Sequence, residues 1–319
     1  SSSKGRWFAA ILVPLICFCP QKVIGNSTWK SPHNNIVGGS STMESVESRT
    51  QTQDSSENRA KGELLVVFSD LDGTLIHYPE KIPKGEAGNK ILKLPPSSTG
   101  MRGIVSSKTF SSVQDIRRKK VRFVLVSGMR TATFVKRLPY LPRADAYATE
   151  AGGRIFYPTD DLSEAGVYEV KPANYDGAES DDLKPFGLVE DMEWRKKLEE
   201  KAGKFPSLPL SDLAVDSKNL SPDLNERDGL LWDFARLLTS KGYVLDLKGY
   251  SACFRVNKKQ QTFESGAEFE ALLRGDIKPF EGLATSVNLS CIDFYPALSG
   301  KKNCCQYLAE KLNAESEME

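Results

Sequence analysis

An apolar run that stops on two carboxylates constrains this chain more than anything else in it. Residues 63–68 read Glu-Leu-Leu-Val-Val-Phe and residues 70–74 read Asp-Leu-Asp-Gly-Thr. A short, nearly continuous apolar stretch rich in β-formers predicts a strand covered on both faces, as in the parallel sheet of an α/β protein. Gly73 and Thr74 end it. In open α/β sheets ligands bind in the crevice beyond the carboxyl ends of the strands, so Asp70 and Asp72 are expected to face a site. An ordinary turn would also use Asp and Gly. A calcium loop would need Gly in the sixth place, whereas Gly73 comes fourth and Leu75 and Ile76 are apolar.

Further segments carry a resemblance. Residues 70–74 resemble the first motif of the haloacid-dehalogenase-like (HAD) phosphohydrolases. Residues 124–130, Val-Leu-Val-Ser-Gly-Met-Arg, resemble the second motif in the form used by the Cof and sucrose-phosphate-phosphatase branch. Residues 149–155, Thr-Glu-Ala-Gly-Gly-Arg-Ile, resemble the turn by which that branch leaves its core for a large cap. Residues 298–308 resemble the third motif, with Lys301 in the lysine slot, Leu308 in the final leucine slot and Lys302 as the alternative lysine.

The resemblance implies an α/β fold: a doubly wound, Rossmann-like parallel-sheet core with an inserted α+β cap. Residues 63–155 and 289–319 would form the core and 156–288 the cap, after an N-terminal extension over 1–62. It also implies a Mg²⁺-dependent phosphatase acting on a small phosphorylated metabolite, a sugar phosphate by the branch it resembles. Asp70 would be the nucleophile, forming an aspartyl-phosphate and splitting one hard displacement into two easier ones. Asp72 would protonate the leaving alkoxide and then deprotonate the attacking water. The backbone at Leu71 and Gly128, the Ser127 hydroxyl and Lys301 would hold the phosphoryl oxygens. Mg²⁺ would take the Asp70 carboxylate, the Asp72 main-chain carbonyl, the substrate phosphate and one further acidic side chain.

One part of the family pattern is missing. The acidic fourth motif should follow the lysine helix, yet no aspartate follows Asp293 in the sequence. A truncated isoform, an incomplete gene model or a catalytically inactive HAD-like binding or regulatory protein would each give such a sequence. The final residues, 313–319, have the polar, charged composition of a frayed terminus.

A net charge of +1 gives no bulk attraction to nucleic acid or to a membrane surface. His33 and His77 lack the company of a catalytic triad or a zinc site. The six cysteines form no C-x-x-C pair, and vicinal Cys304 and Cys305 read as packing residues in a reducing compartment. Residues 1–43 contain no acid and are rich in Ser, Thr and Asn. That composition resembles an organellar, plastid-type transit peptide more than a secretory signal. Residues 40–61 read as a linker.

Elsewhere, helical spacing predicts helices over 111–119 and 131–138, and strand patterns cover 121–126 and 146–149. Residues 93–107 are rich in Pro, Ser and Gly and predict a flap over the site. Within the cap, helices are expected over 190–202, 229–241 and 263–273, with strands over 243–247, 252–256 and 284–289. Arg255, Lys258 and Lys259 are candidate readers of the substrate's leaving group.

Overall fold

The computed structural model describes residues 65–318 apart from 81–89, 98–99, 164–165, 175–179, 207–208, 216–222, 263–265 and 289. The extension over 1–62, with His33, Cys17 and Cys19, lies outside the described residues.

In chain order the first elements are β1 (Val66–Ser69), β2 (Ile91–Lys93), β3 (Ile104–Ser106), α1 (Ser107–Arg118), β4 (Arg122–Val126), α2 (Thr131–Arg137) and β5 (Ala146–Thr149). Next come β6 (Arg154–Thr159), β7 (Tyr168–Val170), β8 (Phe186–Glu190), α3 (Met192–Ala202), α4 (Leu210–Val215) and α5 (Leu230–Ser240). The chain continues with β9 (Leu245–Asp246), β10 (Phe254–Asn257), α6 (Ala267–Arg274), β11 (Leu283–Asn288), β12 (Cys291–Pro296) and α7 (Lys301–Met318).

The first sheet has the order β1-β4-β5-β6-β8-β7. Its strands β1, β4 and β5 are parallel, and β6, β8 and β7 continue it antiparallel. Alternation along β4 explains the double winding. Phe123 and Leu125 pack with Phe110 and Val113 of α1 on one face. Val124 and Val126 pack with Trp194 and Leu198 of α3 and Cys304 and Leu308 of α7 on the other. A strand buried on both sides has no polar face, which is why its sequence shows no alternation. The core is therefore α/β, as the sequence pattern predicts.

The second sheet, β11-β12-β10-β9, is antiparallel and is covered by α5 and α6 through Trp232, Phe234, Phe254, Phe269 and Phe294. Sheet membership runs differently from the expected 156–288 cap. Strands β6, β7 and β8 hydrogen-bond into the first sheet, and α3 packs on it through Trp194, Leu198 and Ala202. Conversely β12 lies in the second sheet, paired with β10 and β11. Periodicity reports which face of an element is apolar but not which sheet receives it.

Three local readings also change. The segment over 93–107, expected to be a flap, contains part of a hairpin, β2 against β3. The strand expected over 243–247 is reduced to Leu245–Asp246. Instead of fraying, residues 313–318 continue α7, since they carry no Pro or Gly and include good helix formers. Among the described residues no helix is long and apolar enough to cross a membrane.

Candidate active site

Asp70 and Ser127 leave the carboxyl ends of neighbouring parallel strands, where Ser69 registers with Leu125. The chain folds tightly after Asp70, because the Leu71 carbonyl accepts from the N–H groups of Thr74, Leu75 and Ile76. Gly73 takes φ +79° in this knot, a left-handed conformation that glycine adopts without steric cost. Leu71 is fully buried and anchors the knot to the core.

Lys301, the first residue of α7, reaches this point from the far end of the sequence. Its Nζ donates to Asp70 Oδ2 at 2.5 Å, while the Leu71 N–H donates to Asp70 Oδ1 at 2.7 Å. Both side chains of the ion pair are about two-fifths exposed, at 43% and 39%, so a solute can reach them. Lys302 lies exposed on the same first turn. Ser127 is fully buried, its Oγ accepting from the Met129 N–H at 3.0 Å. Gly128 is half-buried between them in sequence.

The turn over 150–153 explains how α7 is brought to β1. Gly152 has φ +86°, and a Cβ there would lie 2.6 Å from the Cys304 Cβ and 3.0 Å from the Gly300 carbonyl oxygen. A Cβ on Gly153 would lie 2.6 Å from that of Ala252. The two glycines thus let α7 and the start of β10 close on the same turn. Glu150 and Ala151 also take positive φ, 53° and 57°. The fully buried Glu150 carboxylate accepts from the Ser251 and Ala252 N–H groups at 2.8 and 2.7 Å and from the Thr131 hydroxyl at 2.5 Å. Arg130, closing the second motif, donates to Asp246 Oδ2 at 2.5 Å and to the Lys248 carbonyl at 2.8 Å, and it lies 4.8 Å over the Tyr250 ring.

Around Asp72 the structure brings in two residues that the sequence motifs did not single out. The Tyr78 hydroxyl donates to Asp72 Oδ1 in a short hydrogen bond. Arg137 of α2 donates to the Tyr78 hydroxyl at 2.6 Å, with its Nη1 3.9 Å from the same Asp72 oxygen. A signal for Arg137 was present: an arginine inside the apolar stripe of α2, beside Phe134 and Val135, demands a buried partner.

The other candidates lie elsewhere. Arg255 makes a two-pronged ion pair with Asp293 of β12, at 2.5 and 2.9 Å, and is spoken for within the second sheet. Lys258 pairs with Glu270 at 2.7 Å, and Lys259 is exposed. His77 makes a backbone bridge to Ile104. Burial pushes the Cys304 thiol well up and that of Cys305 up to about 11, so neither provides a reactive thiolate at neutral pH.

For a hard divalent cation the available donors are oxygens, the Asp70 carboxylate and the Asp72 main-chain carbonyl. Among the described residues no group of three or more His, Cys, Asp or Glu side chains converges. Both Asp70 carboxylate oxygens are engaged, by Lys301 and by the Leu71 N–H, so these residues would supply at most two oxygens to a Mg²⁺ and the rest of its shell would fall to water and substrate phosphate.

No protein-family model matches the chain, and no curated protein sequence matches it. Among solved structures it is similar to the sucrose-phosphatase of Synechocystis, at 13% identity and TM-score 0.37, over 64% of this chain and 63% of that one. The chain thus matches less than two thirds of that protein's length. It is also similar to a trehalose-6-phosphate phosphatase related protein, at 10% identity and TM-score 0.35, over 76% and 72% of the two chains. A HAD-superfamily phosphatase of Bacteroides thetaiotaomicron shares 13% identity at TM-score 0.35, over 81% and 77%.

Proposed function

We propose that the chain is a HAD-like phosphomonoesterase that hydrolyses a small phosphate ester, a sugar phosphate on the resemblance of its motifs, through a phosphoryl group carried on Asp70. The observation that supports this reading best is the contact of Lys301 Nζ with Asp70 Oδ2, made across 231 residues of sequence at the mouth of the sheet. A nucleophilic carboxylate beside a cation suits a reaction whose other partner carries two negative charges.

In this reading an Asp70 oxygen attacks phosphorus, the bond from phosphorus to the ester oxygen breaks, and Asp72 gives its proton to the departing alkoxide. Asp72, now a carboxylate, takes a proton from water as that water attacks phosphorus and the bond from phosphorus to the Asp70 oxygen breaks. Phosphate leaves and both aspartates return to their starting states. Lys301 balances charge on the phosphoryl oxygens, and the main chain at Leu71 and Gly128 with the Ser127 hydroxyl surrounds them. Asp70 and the Asp72 main-chain carbonyl are the groups that would hold Mg²⁺, which when bound offsets phosphate charge.

Phosphate release from a panel of sugar phosphates and simple esters, with Mg²⁺ present, tests the reading. Asp70→Asn is expected to lower turnover by about 10³-fold or more, and Lys301→Ala by about 10²-fold, while Lys302→Ala retains the wild-type rate. Full activity in Asp70→Asn would remove the nucleophile and with it the proposal.

A further inference from the structure

We infer that Tyr78 and Arg137 are positioning residues that hold the Asp72 carboxyl group toward the leaving-group oxygen and make its placement depend on the seated flap. The inference rests on the reading of Asp72 as proton donor, and it assigns roles to two residues outside the motifs.

The geometry is a chain of donors with one end fixed. Arg137 is 1% exposed, and each nitrogen of its guanidinium has a single strong partner. Nη1 serves the Tyr78 hydroxyl at 2.6 Å, Nε serves the Pro95 carbonyl at 3.1 Å, and Nη2 serves the Met101 carbonyl at 3.1 Å. With its own hydrogen the Tyr78 hydroxyl then binds Asp72 Oδ1. A rigid planar fork with all three nitrogens engaged cannot rotate without breaking several bonds at once. It therefore fixes the phenol, and the phenol fixes one carboxyl oxygen and leaves the other free to carry the transferred proton.

One observation separates this from simple packing: the carbonyls that Arg137 holds belong to the flap. Pro95 and Met101 flank the turn in which Ser97 N–H donates to the Met101 carbonyl, and Leu94 N–H donates to the Gly103 carbonyl beneath it. A Cβ on Gly103 would lie 2.5 Å from Ile76 Cγ2, so flap and nucleophile loop touch without a spacer. A displaced flap would take Arg137 carbonyl partners with it and loosen the Tyr78 contact.

Proton donation matters in proportion to the basicity of the leaving oxygen, which gives a readout that a purely structural residue would not move. Tyr78→Phe removes one hydroxyl and keeps the ring under Arg137, 5.6 Å from its guanidinium. In this variant kcat for an alkyl phosphate, such as a sugar phosphate that the wild type turns over, is expected to fall about 30-fold with KM nearly unchanged. For p-nitrophenyl phosphate, whose leaving group needs no proton, the fall is expected to stay within about 3-fold. Arg137→Lys, which keeps a donor for Tyr78 but drops both carbonyl ties, should lie between wild type and Tyr78→Phe in that ratio. An equal loss on both esters, or no loss in Tyr78→Phe, overturns the inference while leaving the phosphatase reading intact. A wild-type protein that hydrolyses no ester of the panel overturns both.

Discussion

At the scale of single residues, the site depends on a glycine that touches no substrate. Gly152 sits at φ +86° with the Cys304 Cβ and the Gly300 carbonyl where its own Cβ would go. Cys304 is on the first turn of α7, three residues after Lys301. Gly152→Ala therefore combines a left-handed backbone, about 1–3 kcal/mol for a non-glycine residue, with a clash that only movement of α7 relieves. The expected outcome is a lower unfolding midpoint together with a lower kcat, because Lys301 is displaced from Asp70. A variant with wild-type stability and rate would mean that α7 is placed by something else. This dependence was partly legible. The aspartates, the lysine and the glycine pair stand in recognisable strings, since each is tied to its neighbours in sequence by a turn or a helix start. Tyr78 and Arg137 were not legible as site residues, because their roles arise from contacts across 59 residues between a loop and a helix.

At the scale of elements, α7 carries Lys301 and is held to the first sheet by a buried carboxylate. Asp191 caps α3, accepting from the Trp194 N–H at 2.9 Å, and its other oxygen accepts from the Tyr157 and Tyr307 hydroxyls and from Lys311 at 2.9, 3.0 and 3.0 Å. Tyr307 and Lys311 lie one turn apart on α7, and Tyr307 stacks on Trp194 with ring centroids 4.6 Å apart. Burial by itself would raise the Asp191 carboxyl, but the Trp194 N–H, Lys311 and Tyr157 together hold it below the usual carboxylate range. A carboxyl depressed on folding stabilises the protein above its unfolded value of about 3.9 and loses that contribution as pH falls through the folded value. Asp191→Asn is accordingly expected to cost about 1–3 kcal/mol at neutral pH, with the gap to wild type closing below about pH 4. Denaturant midpoints measured across that range check it, and a gap independent of pH would remove the charge from the argument. The elements themselves were mostly legible: α2, β5 and α5 fall where helical or strand spacing puts them, and α7 opens at the lysine of the third-motif resemblance. Their partners were not, and α3 reads equally well as a cap helix until Trp194 and Leu198 are found against Val124 and Val126.

At the scale of the molecule, the loop over 246–252 is a joint between the two sheets, and Arg130 is one of its ties. This arginine ends the second motif, so it couples the strand that carries Ser127 to the entry of β10. Arg130 and Asp246 are 7% and 11% exposed, and the pair is reinforced by the Lys248 carbonyl and the Tyr250 ring. Truncating one partner of such a pair strands a buried charge, which costs about 3–5 kcal/mol, whereas removing both partners costs less because nothing is left unpaired. Arg130→Ala should therefore lower the melting temperature by about 10 °C, and Arg130→Ala with Asp246→Ala should recover part of that loss. Amide exchange in residues 246–252 should rise in the single variant, since the loop would lose its ties at Asp246 and the Lys248 carbonyl while the Ser251 and Ala252 N–H groups stay on Glu150. A double variant whose loss equals the sum of the two single losses would show that the charges act separately, and the pairing of Arg130 with Asp246 would then not be what holds the joint.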